Sequence, residues 1–220
     1  MKKTIIALSA IASVCAIPAF AQDMTPKFSG SITLANDYIW RGATQTDNKA
    51  AVFLAGQVNI GNFYVGAGTE NVDFGGINQE YDIWGGYVAK LGEKTSLDIG
   101  FVRYGYVDAP SNIDTTEFKA ALTQTIGKGS LTGSVYTTSN FFGSKKSATY
   151  YEVAGVANLS EKVSLSGALA RQNVEGSGGD YNTWNLGVGY TINKNVGLDF
   201  RYHDAEDLDS AFVASVKFSF

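Results

Sequence analysis

From Phe28 to the C-terminal Phe220 the chain alternates apolar with polar or small residues in twelve segments. Each is roughly ten to thirteen residues long, about the length of a tilted strand that crosses a bilayer. Successive side chains of a strand point to opposite faces, so this period writes an apolar face and a polar face along every segment. In the segment 184–190, Trp184, Leu186, Val188 and Tyr190 share one side, and in 196–202 Val196, Leu198, Phe200 and Tyr202 do the same. The connections alternate as well. Short turns at 61–62, 92–94, 127–129, 160–161 and 193–194 are interleaved with longer polar stretches at 41–49, 73–79, 108–114, 140–147, 173–179 and 204–209. An even number of strands with short turns at one end and longer loops at the other predicts an all-β, antiparallel up-and-down barrel of about 12 strands.

Two tests separate a membrane barrel from a soluble sandwich, which would also alternate but bury its apolar face against a second sheet. At outward positions only Arg103 and Arg171 are charged, and both lie near the loop ends, where a charge costs about 0–1 kcal/mol rather than the 2–4 of the bilayer midplane. Outward aromatics gather at strand ends. Tyr38, Trp40, Tyr81, Phe118, Tyr151, Trp184, Tyr202 and Phe212 fall on the loop side, and Phe28, Phe63, Tyr190, Phe218 and Phe220 on the turn side. Two such belts suit two headgroup regions. No apolar run after residue 21 reaches the roughly 18 residues of a membrane helix, so a spanning chain has only the closed barrel open to it.

The chain ends support the same reading. Lys2 and Lys3 precede an apolar stretch at 5–17 and the small-residue site Ala19-Phe20-Ala21, which predicts a cleaved signal peptide over 1–21 and a barrel domain over 22–220 with both termini in the periplasm. Cys15, the single cysteine, falls within that leader, and its upstream residues Ala12-Ser13-Val14 do not make a lipidation site. The mature chain therefore has no disulfide, thiolate metal site or cysteine nucleophile. Without Lys2 and Lys3, 15 basic residues face 21 acidic ones, a formal charge of −6. That balance excludes the basic surface nucleic-acid binding needs. The closing segment 210–220 carries Phe212, Ala214, Val216, Phe218 and Phe220 on one face. It resembles the last strand of bacterial outer-membrane barrels, whose terminal aromatic is read by the assembly machinery.

The stretch Asn36-Asp37-Tyr38-Ile39-Trp40-Arg41-Gly42-Ala43-Thr44-Gln45-Thr46-Asp47 resembles the signature of the TorF-family porins of proteobacterial outer membranes. The similarity continues through Gly61-Asn62-Phe63-Tyr64-Val65-Gly66, Asn71-Val72-Asp73-Phe74-Gly75, Glu80, Asp82, Gly85-Gly86-Tyr87, Tyr104 and Tyr106. Glu70 departs from it, standing where a small polar residue is expected, and no proline accompanies Tyr106. The resemblance implies a porin and leaves the solute open.

With the apolar face outward, parity turns Asp37, Glu70, Glu80, Asp82, Asp98, Glu117, Glu152 and Asp199 into the lumen with Arg41, Lys119, Arg201, Lys217 and His203. Buried ions need partners and solvation, so a charged interior predicts water and a narrow passage for small polar or ionic solutes. The acidic majority predicts a mild preference for cations. Asp37 and Arg41, four apart, and Asp199 and Arg201, two apart, read as lumen salt bridges that rigidify the wall or, less favoured, as a constriction. His203, the single histidine, raises an outer-membrane lipid hydrolase as an alternative, but that chemistry needs an oriented nucleophile at the lipid-facing surface, and no nucleophile motif is present. A non-conducting structural or adhesive barrel is the third reading, with loops short for receptor binding. No catalytic, metal or cofactor site is predicted. The acidic loop 204–209 lacks the ligand spacing of a calcium loop, Lys145-Lys146 sits in a loop within reach of lipopolysaccharide phosphates, and Gly176 to Gly179 is a loop tip without a following helix. The expected partners are outer-membrane lipids and lipopolysaccharide, the assembly machinery and small solutes.

Overall fold

A computed structural model describes residues 24–176 and 179–220. The leader predicted over 1–21 and the mature start at Gln22 lie outside the described residues. The strands are β1 (Lys27–Ala35), β2 (Ile39–Trp40), β3 (Ala43–Thr44), β4 (Ala51–Ile60), β5 (Phe63–Phe74), β6 (Ile77–Lys90) and β7 (Thr95–Tyr106). They continue with β8 (Thr115–Ile126), β9 (Gly129–Thr138), β10 (Ala148–Asn158), β11 (Val163–Val174), β12 (Tyr181–Thr191), β13 (Val196–Ala205) and β14 (Ala211–Ser219). Twelve of them form one closed antiparallel barrel, and β2 with β3 makes a separate small hairpin. Eleven of the twelve predicted segments match a wall strand to within a few residues, and 115–126 coincides with β8.

Closure satisfies the backbone groups that an open edge would leave bare. The seam joins β1 to β14 with Ile32 opposite Phe218. Past the last paired residues, the Gly30 amide donates to the Phe220 carbonyl at 2.9 Å and the Phe220 amide to the Gly30 carbonyl at 3.0 Å. A Cβ on Gly30 would sit 2.5 Å from the Phe220 ring, so this glycine makes room for the terminal aromatic.

The apolar faces are outside. Leu169, Val153, Leu186 and Val188 in mid-wall and Phe63, Phe118, Tyr151 and Phe212 near strand ends are all exposed, whereas Glu80, Asp82 and Glu117 are 1% exposed. A two-sheet sandwich would show the reverse, and that alternative is overturned. Arg103 and Arg171 are outward and each meets an acid at the loop end, Asp114 at 2.7 Å and Asp180 at 3.4 Å. Such exposed pairs contribute about 0–1 kcal/mol, so they make the charge tolerable rather than hold the wall together.

The first predicted segment, 28–40, is corrected. β1 ends at Ala35, and Asn36 then pairs with β14 through its side chain, donating to the Phe212 carbonyl at 3.1 Å and accepting from the Ala214 amide at 2.6 Å. Beyond that point the chain leaves the wall and turns inward. Tyr38 and Trp40, expected in the outer aromatic belt, lie inside, Tyr38 at 2% exposed and Trp40 packed against the interior core cluster. The parity rule fails there because strand geometry has stopped.

The interior wall is shaped by aromatic rings seated on glycines. Tyr64 of β5 covers Gly86 of β6 and Gly100 of β7, where an added Cβ would lie 2.4 Å and 2.7 Å from the tyrosine hydroxyl. That hydroxyl donates to Asp98 at 2.7 Å. Gly86→Val is therefore expected to displace Tyr64, break this bond and destabilise the barrel by about 1–3 kcal/mol, the usual cost of overpacking. Urea unfolding of the refolded protein followed by tryptophan fluorescence measures it.

Candidate functional site

The inward segment is a hairpin whose turn requires left-handed backbone at two successive residues, Arg41 (φ 49°) and Gly42 (φ 89°). Left-handed backbone at both central residues is the signature of a type I′ turn, which matches strand twist. Glycine takes this conformation freely, while an arginine there is held by its contacts. The base is tied by Asp37, which accepts from the Thr44 hydroxyl at 2.7 Å and lies 2.8 Å from that of Thr46, and by the Tyr38 amide donating to Thr46 Oγ1 at 3.1 Å. A register shift in the β5–β6 pair between Asn71 and Phe74 frees the Asp73 amide, which donates to the Gln45 carbonyl at 2.7 Å.

From this base the hairpin crosses the loop-side end of the lumen. Tyr38 packs edge-on against Phe53 of β4, with centroids 5.0 Å apart, and donates its hydroxyl to Glu80 of β6 at 3.2 Å. Trp40 meets Tyr104 of β7 and Phe142, with centroids 5.9 Å and 5.3 Å away. Phe142 belongs to a 3₁₀ turn, Phe141–Gly143, so the stretch 140–147, read as a polar outer loop, also sends aromatics inward. The hairpin tip packs against the β12–β13 wall. A Cβ on Gly42 would lie 2.5 Å from Ala205 of β13 and 2.9 Å from Thr183 Oγ1 of β12.

Arg41 fastens the span. Its guanidinium makes a two-pronged pair with Glu117 of β8, Nη1 to Oε1 at 2.9 Å and Nη2 to Oε2 at 2.6 Å, and Nη1 also donates to Gln172 Oε1 of β11 at 2.8 Å. The guanidinium stands 4.0 Å from the Tyr150 ring centroid and 4.3 Å from that of Trp40. Planar, two-pronged and stacked recognition is what arginine provides and lysine does not. The predicted Asp37–Arg41 salt bridge is thus replaced: the turn carries Arg41 across the lumen to Glu117 while Asp37 stays with the threonines. Tyr38 and Trp40, expected in the outer belt, join the site, as do Tyr150 and Gln172, which the sequence did not single out. For Tyr150 and Gln172 the inward parity was readable, but their meeting with Arg41 was not.

The remaining sequence-selected residues also face the interior. Lys119 pairs with Asp98 at 2.6 Å, and Arg201 with Asp199 at 3.0 Å, the latter pair as anticipated. Arg201 also donates to Asn185 at 2.6 Å and Ser166 at 2.7 Å. Glu70, Glu80 and Asp82 converge on the β5–β6 wall, with one oxygen of each within 4.8 Å of the others. Glu152 accepts from Tyr150 at 3.4 Å. His203 lines the lumen cavities, away from the apolar exterior.

Two cavities occupy the space below and beside the hairpin. The larger, about 450 Å³, runs from the turn-side rim at Asn195 and Phe220 past Gln57, Lys119 and Lys217 to Asp37 under the hairpin. The smaller, about 180 Å³, lies beside Arg41 among Tyr150, Glu152, Ser166 and His203. Tyr38, Ile39, Tyr136, Arg201 and His203 border both. Hairpin and side chains together therefore narrow the lumen at one level, while the turn-side half stays roomy and is bordered by Gln57, Lys217 and Asn195.

The closed twelve-stranded antiparallel barrel is similar in fold to solved porins. KdgM porin superposes with a TM-score of 0.65 at 12% identity, over 87% of this chain and 99% of that one. NanC porin gives 0.55 at 8% identity, over 88% and 98%, and KdgM porin in complex with disordered oligogalacturonate gives 0.64 at 10%, over 89% and 99%. At these identities the likeness is one of fold. No curated protein matches the sequence. The family described as bacterial protein of unknown function (Gcw_chp) matches residues 21–220, and the chain belongs to it.

Proposed function

We propose that the protein is a narrow outer-membrane porin of the TorF type, passing small polar or ionic solutes by passive diffusion through a wet lumen throttled by the hairpin at 36–49. The observation that carries this reading is the cavity of about 450 Å³, bordered by Asp37, Gln57, Lys119 and Lys217, that opens at the turn-side rim and ends under the hairpin. The exposed apolar wall supports a place in acyl chains, with turns toward the periplasm and the longer loops outside among lipopolysaccharide. Phe220 at the seam supports delivery by the outer-membrane assembly machinery after removal of a leader.

The charge left after internal pairing sets the selectivity. Glu117, Asp98 and Asp199 are matched by Arg41, Lys119 and Arg201, whereas Glu70, Glu80, Asp82 and Glu152 have no ion-pair partner among the described residues. An acidic surplus at the narrow level repels anions and favours cations. KdgM porin was captured with oligogalacturonate, a chain of carboxylates; the acidic lumen here argues for a different cargo. In planar bilayers under a salt gradient the reversal potential is expected to have the sign of cation selectivity, and Glu152→Gln is expected to reduce it. Anion selectivity, or bilayers that stay silent, would overturn the reading.

A further inference from the structure

The acid cluster of the β5–β6 wall is built in a way that ordinary salt bridging does not explain. In the β5–β6 register Glu70 stands directly opposite Glu80, and Asp82, opposite Gly68, lies one inward position further along. Like charges facing each other across a strand pair repel. All three are at least nine-tenths buried, at 4%, 1% and 1% exposed. Both carboxylate oxygens of Asp82 and Oε1 of Glu70 are buried without a hydrogen-bond partner, while Glu80 receives the Tyr38 hydroxyl. A buried carboxylate without donors is costly, and three together are more so. The neighbouring cations Arg41 and Lys119 are engaged with Glu117 and Asp98.

We infer that Glu70, Glu80 and Asp82 form a binding site for one hard divalent cation of the calcium class. The donor set is all carboxylate oxygen, the preference of calcium and magnesium rather than of softer metals. One oxygen of each residue lies within 4.8 Å of the others, close enough for a single ion to be held by all three. Glu70 and Asp82 line the larger cavity, which supplies water for the remaining coordination positions and a route of entry. Through Glu80 and Tyr38 the ion would also fix one side of the hairpin to the wall. The site stands on these residues whether or not the barrel conducts.

The test uses the full mature protein refolded in detergent and stripped with EDTA. Terbium is titrated with excitation of tyrosine, since Tyr38 touches a ligand, and calcium is added in competition. Saturable sensitised luminescence displaced by calcium is expected, with affinity at least about tenfold weaker in Asp82→Asn and in Glu70→Gln. Calcium is expected to raise the unfolding temperature of the natural protein and not of these variants. In EDTA both variants should unfold no earlier than the natural protein, because each removes one of three repelling charges; this also establishes that they fold. Asp207→Asn with Asp209→Asn, in the outer loop, should leave the affinity unchanged. Absence of saturable binding, equal binding in the ligand variants, or loss of binding in the loop variant overturns the inference.

Discussion

Arg41→Ala is expected to widen the passage and weaken the barrel at once, raising single-channel conductance severalfold and costing about 3–5 kcal/mol, the usual penalty for orphaning one member of a buried pair. Both arms follow from the same geometry. Arg41 and Glu117 side chains are 7% and 2% exposed, and removing the guanidinium leaves two carboxylate oxygens and Gln172 Oε1 without their donor. It also removes the side chain that joins the hairpin to Glu117, Gln172 and Tyr150 on the β8–β11 wall, and with it a tether of the hairpin tip. The penalty should fall toward the lower end of the range, because the cavity beside Arg41 lets water reach the bared carboxylate. The double variant Arg41→Ala with Glu117→Gln separates the arms. Stability should recover by more than half, since no charge is then stranded, while conductance stays high because the hairpin tip still lacks that tether. Planar-bilayer recordings and urea unfolding of the three proteins together decide it. Unchanged conductance in Arg41→Ala would mean that the hairpin does not set the bore.

The behaviour of Arg41 also shows where sequence reading succeeds and where it stops. The wall was legible because one physical rule, period two, holds in every strand, and because the oily and polar faces of 184–190 or 196–202 leave a single register open. Lumen charges inherited that rule: Asp98, Lys119, Asp199 and Arg201 are inward because their strands are regular. The hairpin was not legible in the same way. Asp37 to Trp40 keeps up the alternation, so parity carries Tyr38 and Trp40 outward, yet β1 ends at Ala35 and the chain has left the wall before the left-handed Arg41-Gly42 pair closes the hairpin. An Arg-Gly turn between alternating residues is a weaker hairpin signal than Asn-Gly, because arginine does not itself favour positive φ and needs Glu117, Gln172 and two rings to hold it there. The acid cluster was hidden for another reason. Glu70, Glu80 and Asp82 were each placed in the lumen, but their convergence depends on the β5–β6 register, in which Glu70 meets Glu80 across the pair just before the register shifts beyond Asn71.

Leu186→Arg is expected to be the most damaging single change on the outer surface, lowering stability in lipid by about 2–4 kcal/mol and cutting the yield of folded barrel. Leu186 sits at the middle of β12, half exposed on the apolar face, with Gly167 and Tyr202 as its neighbours across the sheet. At mid-wall the guanidinium lies farthest from either headgroup region and has no acid beside it. Arg103 and Arg171, by contrast, are near loop ends and each meets a carboxylate. The same charge introduced at Phe212, on the exposed loop-side end of β14, should cost only about 0–1 kcal/mol beyond the lost aromatic contact. Depth dependence is the decisive quantity. A face that met water would accept arginine at either position with changes within about 0.5 kcal/mol, so equal and small effects in lipid-vesicle unfolding titrations would remove the bilayer from the explanation of the apolar wall.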